Sequence, residues 1–104
     1  VMNDTARELL VQAALNGHKQ IKGQMHDYGF NEGECALGIL HLALHHTRKA
    51  AIACNSYPQA TLSMKANSYM EVQKAFDISR EDTNTIINKN DEAGWDFLTI
   101  SRKC

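Results

Sequence analysis

The sequence predicts an all-α fold, a compact bundle of four to five helices with a Gly-rich loop between the first two. Three observations carry this. Apolar residues recur at i, i+3, i+4 and i+7 in most of the chain, the spacing of one face of a helix. One proline and six glycines in 104 residues are too few turn formers for a chain of many short strands. No segment alternates apolar and polar residues in the way of a half-buried strand. The length suits a single domain spanning residues 1–104, because a second core could not be filled from what remains.

The first helix opens near Asn3, Asp4 and Thr5, where Thr5 and Glu8 fit a capping box. Ala6, Leu9, Leu10, Ala13 and Ala14 form its inner face, and Asn16-Gly17 ends it, since glycine accepts the left-handed conformation past a helix end. From Gly17 to Glu34 the helical period is lost, and Gly17, Gly23, Gly29 and Gly33 recur. This reads as an ordered loop, with Ile21, Gly23 and Met25 as a short extended piece. It is longer than most connections, which favours a functional loop.

The next helix is expected to run unbroken from Cys35 to about Cys54 and to be the central one. Ala36, Leu40, Ala43, Thr47, Ala50 and Cys54 lie close to one line, with Leu37, Ile39, Leu44 and Ala51 on its shoulders, a broad apolar arc. It ends before Tyr57-Pro58. Thr61 or Ser63 opens a third helix with Leu62, Ala66, Tyr69, Met70, Gln73 and Phe76 inward. Ser79 caps a fourth, with Asp82 three residues on and Ile86 and Ile87 inward. Asn90-Asp91 breaks it, and Asp91 or Gly94 starts a last helix carrying Trp95 and Leu98.

Charge and cysteine content restrict the function classes. Eleven Lys and Arg stand against twelve Asp and Glu, a formal net charge of −1, with both signs interspersed. That excludes binding of nucleic acid by bulk charge. No run of about 18 apolar residues can span a membrane, since the longest, Ala36 to Leu44, is interrupted by Gly38 and His41. The first residues have no basic segment followed by an apolar one, so no secretory signal is expected. Cys35, Cys54 and Cys104 are odd in number and widely spaced, a poor disulfide framework. The expected compartment is the cytoplasm, with the thiols reduced.

No activity is declared by a motif, and a non-enzyme is the expectation. His41 and His45 stand at i, i+4, within reach of one metal ion. Zinc hydrolases place a Glu after the first His, whereas position 42 is Leu. By helical angle the pair lies opposite the apolar line, so the plainer expectation is a polar stripe facing solvent or a partner. Cys35 at a helix start could be a reactive thiol, but burial as a small apolar residue is the simpler reading. Asn90, Asp91 and Trp95 concentrate carboxylate, amide and indole near a helix start. With Cys35 they form the candidate ligand-binding set, against the plainer reading of a cap and core aromatics.

The stretches Thr5-Ala6-Arg7-Glu8-Leu9-Leu10, Gly33-Glu34-Cys35-Ala36-Leu37-Gly38 and Ile86-Ile87-Asn88-Lys89-Asn90-Asp91 resemble a family of small, uncharacterised helical domains of bacteria and phages. Its motifs are a TAR-x-x-L opening, a C-A-L-G helix start and a late N-D. Tyr28-Gly29-Phe30-Asn31 and the tail after Asp91 depart from that pattern. The resemblance implies a helical fold and an accessory-gene setting but no reaction. It also implies a polar corner of Cys35, Gly38, Asn90 and Asp91, where Gly38 admits another backbone.

The expected function is therefore a small cytoplasmic interaction module, homodimeric, from a bacterial, phage or mobile-element accessory gene. The alternative is a small-ligand binder with its pocket near the Gly-rich loop, Asn90-Asp91 and Trp95. A weaker alternative is a helix-turn-helix DNA regulator built on Gln73–Asn88. No cofactor is expected. The expected partner is a second copy or another protein, then a small molecule, with nucleic acid and membrane not expected.

Overall fold

The computed structural model describes residues 2–27, 32–53 and 62–104, with backbone alone for 62–67. Tyr28 to Asn31, Cys54, Tyr57-Pro58, Thr61 and the side chains of Leu62, Ser63 and Ala66 lie outside that description. Among the described residues six helices follow in order: α1 Asp4–Leu15, α2 Ala36–His45, α3 Arg48–Ala53, α4 Leu62–Phe76, α5 Arg80–Asp91 and α6 Phe97–Lys103. Among the described residues there is no strand, only isolated bridges of Glu34 to Gln20 and His26 inside the loop. No described helix is long and apolar enough to cross a membrane. The radius of gyration, 12.5 Å, is that of a folded domain of this length, about 13 Å for 100 residues.

The fold is all-α, as expected, and α2 is its axis. This helix packs on α1, α3, α4 and α5, and every residue from Ala36 to His41 is buried. Helix α1 lies across α2 and α6. Met2, Ala6, Leu10, Leu37, Leu40, Val72, Phe76, Ile86, Phe97 and Ile100 belong to one continuous core. The two ends of the chain meet, with the Met2 N–H donating to the Cys104 carbonyl at 3.0 Å.

Several expectations are corrected. Of the residues at the start of α1, Asn3 is the N-cap and Thr5 lies inside the helix, so the Thr5–Glu8 capping box is not the cap; the Asn3 side chain accepts from the Ala6 N–H at 2.9 Å and donates to the Phe76 carbonyl at 2.9 Å. The central helix is not continuous to Cys54. It stops at His46, which takes a left-handed φ of 65°, and the Thr47 hydroxyl then accepts the Ala50 N–H to start α3. Such a turn costs a non-glycine residue about 1–2 kcal/mol, and it redirects the chain so that Arg48 reaches Glu34. The inner seam of α4 is Ser68, Val72 and Phe76, and Met70 is 60% exposed rather than inward. Helix α6 begins after Trp95, not before it. Asp96 is its cap, accepting the Thr99 N–H at 2.8 Å. Ser79 caps α5 as expected, accepting the Asp82 N–H at 3.0 Å.

The loop covers α2, and Gly38 permits it. The Met25 carbonyl accepts the Cys35 N–H at 3.1 Å and passes so close that a Cβ on Gly38 would lie 1.9 Å from that oxygen. A backbone atom in a buried loop cannot yield as a flexible side-chain tip can. The Gly38→Ala variant is therefore expected to lose about 3 kcal/mol or more of unfolding free energy. Urea denaturation checks this, and a loss too small to measure would contradict the close approach.

Candidate functional site

The most polar part of the interior lies where the loop, α2 and α4 meet. Its first member is Glu34, which is fully buried just ahead of α2. Its backbone is fixed on both sides: its N–H donates to the Lys19 carbonyl and its carbonyl accepts the Ile21 N–H, each at 3.1 Å. One carboxylate oxygen, Oε2, meets His18 Nε2. The other, Oε1, accepts from Arg48 Nη1 and lies 3.4 Å from His26 Nδ1. The Arg48 guanidinium also donates to the Asp27 and Gly33 carbonyls, clamping both limbs of the loop. Burial pushes the Glu34 carboxyl up, but hydrogen bonds from His26 and His18 and the charges of His18 and Arg48 outweigh it, holding the group below its usual range.

The second member is a row of imidazoles. His26 is buried in the loop, and its Nε2 lies 2.8 Å from His41 Nδ1. His41 and His45, one turn apart on α2, have ring centroids 4.5 Å apart. His41 is fully buried, against the expectation that it would face solvent. The helical angle was sound, but the loop and α4 cover the face it points to. Burial first, and then the neighbouring His26 and His45, push its pKa down to about 4, so it is a neutral imidazole at pH 7.

The third member is Glu71 of α4, one position before the seam residue Val72. Its Oε1 lies 2.9 Å from His45 Nε2 and its Oε2 lies 3.9 Å from His41 Nε2. Among the described residues, His41 Nε2 is the buried side-chain nitrogen or oxygen left without a hydrogen-bond partner. One ligand atom each from His41, His45 and Glu71 lies within 4.8 Å of the others. Ligands of a tetrahedral ion bound at about 2.0–2.1 Å stand roughly 3.3 Å apart, so small side-chain movements close the set. His45 and Glu71 are 22% and 43% exposed, which leaves a side of the cluster open to solvent. Two imidazoles and one carboxylate suit zinc and its neighbours in the first transition row.

The sequence singled out His41 and His45 but not Glu71, His26, Glu34 or Arg48. Glu71 stands 26 positions after His45, on an element whose docking no local pattern announces.

The other candidate set is tied into the framework. Asn90 is buried and its amide donates to the Ile21 carbonyl and to Asp91 Oδ1, each at 2.8 Å. Its Oδ1 accepts from Gln20 at 2.7 Å and from the Ala36 N–H at 3.1 Å. Both donors and both acceptor positions of the amide are thereby used. Cys35 caps α2, its Sγ accepting the Gly38 N–H at 3.3 Å. Burial pushes its thiol up to about 11 against the pull of the Gly38 and Leu37 N–H groups, the opposite of a reactive thiolate. Trp95 is half-buried, with Lys89 and Lys103 ammonium groups 4.7 and 5.1 Å from its ring centre. Comparison of the chain with protein-family models, curated proteins and solved structures finds no match.

The depressed pKa of His41 has a stability consequence in metal-free protein. Its folded value of about 4 lies below the ordinary 6.5, so in that interval the unfolded chain binds the proton more readily. Stability from this group is complete above pH 6.5 and falls as the pH drops toward 4, by up to about 3 kcal/mol. Glu34, with its lowered value, acts in the same direction in the acid range. Urea unfolding in a chelator between pH 7 and pH 4.5 measures this, and a flat profile would contradict a buried neutral His41.

Proposed function

We propose that this chain is a metal-binding helical domain that holds one divalent ion of the zinc class on His41, His45 and Glu71. The observation that carries this is the facing of His41 Nε2, buried and without a hydrogen-bond partner, by the Glu71 carboxylate at 3.9 Å. A cation placed between this unpartnered nitrogen and the carboxylate satisfies both. Three protein ligands with a solvent-open side match sites that keep a further coordination position for water or another small ligand. The adjacent position 42 is Leu, so the general base of the zinc hydrolases is missing, and the reading is binding rather than hydrolysis.

Titration of chelator-treated protein with zinc by calorimetry is expected to show one ion per chain. His45→Ala and Glu71→Ala change partly exposed side chains, and each is expected to weaken binding at least tenfold, about 1.4 kcal/mol. Absence of binding by zinc, cobalt and nickel in the native protein would refute the reading.

A second reading, an interaction module that associates with itself or another protein, draws on one feature. Met70 is 60% exposed and lines, with Tyr69, Gln73, Arg80 and Ile87, a groove of about 600 Å³ between α4 and α5. Large exposed apolar side chains at a groove favour association. Light scattering at high concentration is expected to show a dimer that Met70→Glu dissociates, and a monomer throughout would remove this reading.

A further inference from the structure

Resting on the metal-binding reading, one further role follows from the hydrogen-bonded row behind the proposed ligands. We infer that His26, held by Glu34, is a positioning residue that fixes which nitrogen of His41 carries the proton, and so presents the His41 Nε2 lone pair to the ion. The row runs Glu34 Oε1, His26 Nδ1 at 3.4 Å, then His26 Nε2 to His41 Nδ1 at 2.8 Å. Glu34, His26 and His41 are all fully buried, so water does not compete for these positions.

The direction of the row follows from its fixed end. A carboxylate only accepts, so the Glu34 end demands a donor from His26, which is the Nδ1–H. Arg48 and His18 already stand on the same carboxylate, and a further full cation buried beside them would be costly. Within the row His26 thus donates from Nδ1 and accepts at Nε2. His41 must then donate to it from Nδ1, and a neutral His41 that donates from Nδ1 has its lone pair on Nε2. That is the nitrogen left without a hydrogen-bond partner toward Glu71. Metal-bound imidazoles characteristically donate their other N–H to a carboxylate, a carbonyl or a water. Here the carboxylate acts through a second imidazole. With one proton on each ring, the opposite arrangement would place two N–H groups or two lone pairs against each other somewhere along the row.

His18 supplies the contrast needed for a test. It also touches Glu34, but through Oε2, outside the row that leads to His41. Long-range nitrogen–proton NMR of the metal-free native protein at neutral pH is expected to show both His26 and His41 with the proton on Nδ1. Zinc titration of His26→Phe is expected to show affinity lowered by about 10- to 100-fold, with the helical circular dichroism retained. His18→Ala is expected to leave zinc affinity at the native value. A His41 protonated on Nε2 in the native protein would overturn the inference, as would native zinc affinity in His26→Phe. Equal losses in His18→Ala and His26→Phe would also overturn it, because they would reveal general loosening around Glu34. If His26→Phe does not fold, the NMR spectrum of the native protein decides alone. Native protein that binds no zinc refutes the metal-binding reading separately, and the tautomer spectrum then still reports on the row.

Discussion

A single buried carboxylate organises this small protein. Glu34 has no exposed surface, and leaving such a charge without partners would be strongly destabilising, about 3–5 kcal/mol for a broken buried pair. The partners that prevent this come from three directions: His18 after α1, His26 within the loop, and Arg48 at the start of α3. Each contact fixes a different segment. Arg48 in turn holds the Asp27 and Gly33 carbonyls, so the loop is gripped from below by a charge and from above by a guanidinium. The left-handed turn at His46 belongs to the same requirement, because it is the bend that brings Arg48 back over the loop.

A neutral hub complements the charged one. Asn90 near the end of α5 reaches Ile21 in the loop and the first N–H of α2, and Gln20 links the same amide to the Trp95 carbonyl. The loop between α1 and α2 is therefore held at one end by α5 and at the other by α3. Its backbone is irregular, and its described part is tied down by hydrogen bonds at Ile21, Met25, Asp27, Gly33 and Glu34, in keeping with a segment that covers a buried helix. The helices supply the apolar area, but their relative placement depends on these two polar side chains.

What the sequence made legible follows the range of each interaction. The helical period, the Ser79 cap and the Asn16-Gly17 stop depend on neighbouring residues, and all were readable. The break at His46 was not. It accompanies a contact between Arg48 and Glu34, fourteen positions apart, and neither glycine nor proline marks it. The same holds for the metal set. His41 and His45 showed themselves by their i, i+4 spacing, but the decisive third residue, Glu71, is brought in by tertiary docking. Burial of His41 was misjudged because a polar residue opposite an apolar line normally meets water, whereas here a polar loop has closed over it. Trp95 was assigned to the last helix on apolar spacing, while the cap at Asp96 decided the boundary.

The packing of α1 against α6 has a consequence for how the core closes. The two helices stand far apart in sequence, and their contact buries Ala6 and Leu10 with Phe97 and Ile100. Helix α2 covers part of the inner face of α1, but the rest is covered by α6, so this seam of the core closes through a contact of long sequence separation. Contacts of such long sequence separation also slow folding relative to a bundle of neighbouring hairpins. The seam between α1 and α6 thus ties the closing of the core to its most non-local helix pair.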